Sequence, residues 1–172
     1  SRGLAPILLL AAAACGGSGT GPEPDPALRE PPPSTLRTVT HPTLTIRLLA
    51  VAAETGGGGD AVVVADSSGP RPLHLLLDAG DDSKAAAYLE GAGIDTLDLM
   101  VLTHAHFDHY GGMAEVLDAA HVRAFAYNGQ VRTEPSYQAV LARVAAEADT
   151  TFVVAATTVW QSAAGGVEVT LM

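Results

Sequence analysis

The run Leu97-Asp98-Leu99-Met100-Val101-Leu102 constrains this chain most, because it leads straight into Thr103-His104-Ala105-His106-Phe107-Asp108-His109-Tyr110-Gly111-Gly112. The first segment reads as a buried strand and residues 111–120 as a helix. The polar cluster therefore sits on a strand-to-helix loop, where a rigid scaffold presents reactive groups. Three of the six histidines and one carboxylate fall within six residues. That density points to metal, and the spacing to two ions. His104 and His106 flank Ala105, so in an extended loop both rings point the same way. Asp108 and His109 are adjacent and point apart, which suits them to a second ion. Imidazole suits zinc, iron and copper, and carboxylate adds a harder anionic ligand. The loop offers no thiolate, which argues against a Cys-rich structural zinc site. An incomplete protein ligand set leaves a position for water, whose pKa a metal lowers; a second ion ~4 Å away would clamp substrate and leaving group.

The rest of the folded part reads coarsely. Residues 43–53 alternate Leu44, Ile46 and Leu48 on one face, as a strand does. Residues 61–65 and 73–77 are strands joined by the turn Ser67-Ser68-Gly69-Pro70. Residues 83–91 and 113–119 are helices, and 122–127 is a strand. Residues 136–148 form a helix preceded by Pro135, with Val140, Leu141 and Val144 facing inward. Residues 152–155, 159–162 and 167–171 are strands. Strands first, then strands alternating with helices, predict an α/β chain of layered sheets with helices outside.

The N-terminus carries a different message. Arg2 precedes an apolar stretch from Leu4 to Ala14 that runs into Cys15-Gly16-Gly17-Ser18. The stretch is too short for a bilayer span of ~20 residues and suits the core of an export signal. Small residues followed by Cys resemble a bacterial lipoprotein signal, in which Cys15 would be lipidated. Cys15 is the single cysteine, so no internal disulfide can form. Residues 1–15 thus read as an export or lipoprotein-type signal and 16–42 as a Pro/Gly-rich linker. The linker's prolines forbid regular hydrogen bonding and favour an extended tether. The expected location is the bacterial envelope, with the chain held at the membrane by a lipid anchor.

The formal net charge is −10. An acidic chain repels a phosphate backbone, and Arg123, Arg132 and Arg143 form no basic stripe. Nuclease action on long nucleic acid gains no support, whereas the charge of a bound metal still attracts a small anionic ester.

His104-x-His106-x-Asp108-His109, with Leu102-Thr103 before it and Gly111-Gly112 after it, resembles the signature of the metallo-β-lactamase superfamily. Gly59-Asp60-Ala61 before Val62-Val63-Val64, the strand-and-turn Leu75-Leu76-Leu77-Asp78-Ala79-Gly80, and Tyr88-Leu89 with residues 93–98 resemble the branch containing the hydrolase domain of the competence-type DNA-uptake protein. The likeness spans roughly residues 43–172. It implies a four-layer αββα sandwich, of which this chain would supply the N-terminal half. It implies His104, His106, Asp108 and His109 as ligands to two divalent ions, zinc first, with manganese or iron as alternatives. Asp108 would also hold the nucleophilic water, as its counterpart does in related sites, and Asp78 would orient a ligand or a metal-bound water. The substrate would be a small ester or phosphodiester, or an amide.

The chain departs from that pattern in two places. Residues 49–55 lack the Asp that the branch usually carries in its first strand. After His109, His121, Asp118 and Asp149 do not match the later ligand motifs. The sequence therefore reads as a fragment, nearly inactive alone, and its rival reading is a non-catalytic envelope protein or metal-binding module.

Overall fold

The computed structural model describes residues 44–51, 59–162 and 167–172. Cys15 and the segments expected to be a signal (1–15) and a linker (16–42) lie outside the described residues. No helix among those described is long and apolar enough to cross a membrane. The chain opens with strands β1 (Leu44–Leu48), β2 (Val62–Asp66) and β3 (Leu73–Leu77), followed by helix α1 (Lys84–Ala92). Next come β4 (Thr96–Leu97), β5 (Leu99–Leu102), α2 (Phe107–Tyr110), α3 (Met113–Ala119), β6 (His121–Val122) and β7 (Ala124–Tyr127). Helix α4 (Pro135–Glu147) and strands β8 (Thr150–Val153), β9 (Thr158–Gln161) and β10 (Glu168–Leu171) complete the described elements.

Six strands form one sheet in the order β1-β2-β3-β5-β7-β8. The first three are antiparallel, and β3, β5, β7 and β8 run parallel. The short link at residues 67–72 permits the β2–β3 pairing, and the helical crossovers force the parallel ones. Val63, Leu76, Met100 and Phe125 lie side by side across four strands and are all at most 2% exposed. This row packs beneath α1, α3 and α4, which turn Leu89, Val116, Val140 and Val144 onto it. The opposite face carries Leu73, Leu75, Leu99, Val101, Ala124 and Ala126, packed against Trp160, Val169 and Leu171 of the β9–β10 hairpin. Central strands covered on both faces must be apolar throughout, which is why residues 73–77 and 99–102 show almost no alternation. The outcome is a mixed α/β layering of helices, main sheet and hairpin.

Two single strands expected from the sequence are each divided. Residues 97–102 split at Asp98 into β4 and β5, and 122–127 split at Arg123 into β6 and β7. The short pieces pair with each other, while β5 and β7 enter the main sheet. Asp98 makes the division: its N–H donates to the His74 carbonyl, and its carboxylate accepts from the His74 N–H and from both Arg71 Nη atoms. Arg123 Nε stands 3.6 Å from the same carboxylate. β1 is shorter than residues 43–53, and its apolar row is largely exposed, with Leu48 at 81%. In α4, Tyr137, Val140 and Val144 are buried and Leu141 only half so. Pro135 stands in the first turn, where its missing N–H costs nothing.

Burial opposes ionisation of Asp98, but the Arg71 guanidinium, the His74 N–H and Arg123 outweigh it and hold its carboxyl below the usual carboxylate range. A depressed carboxylate contributes stability above its unfolded pKa of about 3.9 and loses that contribution as pH falls through the folded value. Asp98→Asn should therefore cost about 2–3 kcal/mol at pH 7. That is less than a fully buried pair would lose, because the Arg71 side chain is 41% exposed. Urea titrations at several pH values check this: the gap between the variant and the parent should begin to shrink below about pH 4 and close only once the pH has fallen below the depressed folded value.

Candidate metal centre

Parallel strands deliver their C-terminal ends to one edge of a sheet, and side chains from successive loops meet there. Here Asp78 follows β3, the His-rich loop follows β5, and Asn128-Gly129-Gln130 follow β7. Backbone hydrogen bonds stitch the loops together. The Ala79 N–H donates to the His109 carbonyl at 2.8 Å, Gly112 N–H to Gly80 at 3.0 Å, and Gly80 N–H to Asp60 at 3.0 Å. The packing is close enough to require glycine at two points. A Cβ on Gly59 would lie 2.4 Å from the Asp108 carbonyl oxygen, and one on Gly112 would lie 2.2 Å from that of Asp82.

Asp78 sits below the loop, 4% exposed, with a backbone φ of 55°. Its Oδ1 accepts the Thr103 N–H at 2.8 Å. Its Oδ2 accepts the Thr103 hydroxyl at 2.6 Å and stands 2.8 Å from His109 Nδ1. Proton counting then assigns the imidazole tautomers. A carboxylate only accepts, so His109 carries its proton on Nδ1. Thr103 gives its single proton to Asp78, so His104 Nδ1, 3.0 Å from Thr103 Oγ1, must donate to that oxygen. Nε2 is therefore left as the lone-pair nitrogen of both rings, on the side away from Asp78.

His104 Nε2 faces His106 Nδ1 at 3.0 Å. His109 Nε2 lies 3.7 Å from Asp108 Oδ2. The His104 and His109 rings are 3.9 Å apart between centroids, so the two donor pairs adjoin. A zinc–nitrogen bond of about 2.0–2.1 Å implies a donor–donor edge of roughly 3.3 Å around a tetrahedral ion. The two pairs bracket that value: the first is a hydrogen bond in which His106 Nδ1 donates to the His104 Nε2 lone pair, so a metal there would displace that proton, and the second would have to close by a few tenths of an ångström. Among the described residues, no three His, Cys, Asp or Glu side chains gather around one point as a complete cage. Burial, then the neighbouring His109 and His106, lower the His104 pKa, with Asp78 and Asp108 opposing. The neutral imidazole that a metal requires is thereby favoured.

The structure brings His104, His106, Asp108 and His109 together above Asp78. His121 is elsewhere, at the opposite end of the strands, paired with Asp149 at 3.1 Å. Two residues that sequence reasoning gave no role stand in the centre. Thr103 links Asp78 to His104, and its place directly before the motif was the available signal. Gln130 Oε1 accepts the Ala105 N–H at 3.1 Å, from 25 residues away, with no motif to mark it.

The class the structure defines is thus a mixed α/β protein that presents a His/Asp loop at the C-terminal ends of its parallel strands. Residues 55–159 match the family model of the metallo-β-lactamase superfamily. The chain belongs to that superfamily, which is associated with hydrolysis of esters, phosphodiesters and amides and commonly binds divalent metals. A 43-residue stretch is also 44% identical to a protein named octanoyltransferase from Porphyromonas gingivalis. That match covers 25% of this chain and spans 8% of the length of that protein, so it carries no activity across.

Proposed function

We propose that this chain is a metal-dependent hydrolase-like domain acting on a small ester, phosphodiester or amide. His104 and His106 hold one divalent ion, and Asp108 and His109 a second, with zinc the expected metal. The observation that carries this reading is the buried Asp78 carboxylate, which meets His109 Nδ1 directly and His104 Nδ1 through the Thr103 hydroxyl, leaving Nε2 of the two rings toward Asp108 and His106. Bound metal would supply Lewis acidity and make water acidic enough to act near neutral pH. The chain's own residues do the rest. Asp78 and Thr103 fix ring orientation and tautomer, and Asp108, half-exposed at the loop, would accept a hydrogen bond from the attacking water.

Two donors per ion fall short of the three that a catalytic zinc ordinarily has. This favours a second reading for residues 1–172 taken alone, a weak metal-binding module with little turnover. Further ligands and layers, as in the four-layer αββα sandwich of the competence-type branch, would complete the site. Elemental analysis of protein dialysed without chelator tests the metal reading. The expected result is zinc in the parent and none in the His104→Ala/His106→Ala double variant; equal metal in both would remove the site. Turnover of bis(p-nitrophenyl) phosphate with added zinc or manganese separates the two readings. A fast reaction abolished by Asp108→Ala would favour the hydrolase, and metal without turnover the binding module.

The sequence around Cys15 supports a lipid anchor at the membrane. It predicts that the parent sediments with membranes and that Cys15→Ser is released; release of both would remove the anchor.

A further inference from the structure

Ala105 separates His104 from His106, and the peptide joining residues 104 and 105 sets the relative direction of the two rings. Ala105 is 5% exposed, so its N–H needs a protein partner, and Gln130 Oε1 is that partner. Gln130 is itself held at both ends of its backbone. Its N–H donates to Asn128 Oδ1 at 3.0 Å, and its carbonyl accepts the Tyr137 hydroxyl at 2.9 Å. Gly129 makes the turn at φ 72°, where a Cβ would lie 2.6 Å from Val153 Cγ1. Tyr137, 1% exposed on α4, also packs edge-on to Tyr110 with centroids 5.2 Å apart. Tyr110 closes α2, the turn that carries Asp108 and His109, and its hydroxyl meets Ser136 Oγ at 2.9 Å. The start of α4 and the turn before it therefore grip the His-rich loop on two sides, at Ala105 and at Tyr110.

We infer that Gln130 is a positioning residue for the metal centre: its side-chain carbonyl fixes the 104–105 peptide and so holds His104 and His106 converged on one ion. The inference rests on the metal reading above and adds a residue that touches neither metal nor substrate. A partner that orients a ligand in this way is worth on the order of tenfold or more in metal affinity. The acceptor, not the bulk, is the active feature. Gln130→Met keeps length and removes the acceptor, whereas Gln130→Glu keeps an acceptor at the same reach.

The experiment has two readouts on the same purified proteins. Amide exchange followed by NMR reports the Ala105 N–H without metal, and competition against a chromophoric chelator reports zinc affinity. Gln130→Met should speed Ala105 exchange on the order of tenfold while Met100 and Phe125 stay protected, and should weaken zinc by a similar factor. Gln130→Glu should retain Ala105 protection and bind zinc at least as well as the parent. Parental Ala105 exchange and parental zinc affinity in a folded Gln130→Met variant would overturn the positioning role. If Gln130→Met loses protection at Met100 and Phe125 as well, Gln130→Glu decides alone, and fast Ala105 exchange in it overturns the role. A parent that binds no zinc while Ala105 is protected would instead mean that the metal reading has failed, and with it any role toward a metal.

Discussion

Asp78→Asn is expected to keep the fold and lose the metal site. The backbone at this position has φ 55°, a left-handed conformation that Asn tolerates about as well as Asp. The remaining side-chain oxygen can still accept the Thr103 N–H. What changes is the second atom, which becomes a donor where His109 Nδ1 and Thr103 Oγ1 both require an acceptor. His109 must then move its proton to Nε2, the atom that faces Asp108. The Thr103 hydroxyl must turn its proton toward His104 Nδ1, which drives that ring's proton to Nε2, the atom that faces His106. One substitution therefore protonates a ligand atom in each donor pair. Zinc affinity should fall by about 10–100-fold. Long-range nitrogen–proton NMR of the metal-free protein should show both rings in the opposite tautomer. Parental zinc affinity in a folded variant would show that the carboxylate does not set the tautomers.

The second large effect concerns packing beneath the loop. Gly112→Ala places a methyl group 2.2 Å from the Asp82 carbonyl oxygen and 2.5 Å from that of Ala79. Both are backbone atoms, and the 78–82 turn is already tied to residues 109 and 112 by hydrogen bonds, so no flexible side chain can yield. A loss of about 3 kcal/mol is expected, at the upper end for an overpacked site. Gly91→Ala is the matched control. It lies in α1 with nothing within 4 Å of its Cβ position. There the same change should stabilise by roughly 0.5–1 kcal/mol, because alanine lowers the entropy cost of helix formation. Urea unfolding of both variants reads the contrast. A Gly112→Ala protein within about 0.5 kcal/mol of the parent would mean that the two turns can separate freely.

The elements were legible wherever one physical constraint dominated. The apolar runs read as strands at 73–77 and 97–102 contain β3 and β5, and the apolar stripe of Val140, Leu141 and Val144 marked the helix that spans Pro135–Glu147. The boundaries at Asp98 and Arg123 were not legible. A polar residue within an apolar run looks like an exposed position until Arg71, 27 residues before Asp98, arrives to neutralise it. The short helix α2 was hidden because its residues were already accounted for as ligands.

The sequence by itself determined which imidazoles and carboxylate the loop carries. Imidazoles and a carboxylate at that spacing on a strand-to-helix loop are local facts, fixed by the order of residues. Only the tertiary structure decided how those donors are held. Asp78, Thr103 and Gln130 act on the loop from the ends of three adjacent parallel strands. A hydrogen bond between residues 25 or 31 positions apart leaves no periodic trace in a chain. Tautomer, ring direction and the exposed apolar row of β1 are likewise properties of which groups become neighbours. Sheet order and register set those neighbours, because pairing β3 with β5 and β5 with β7 brings three sequence-distant turns to one edge.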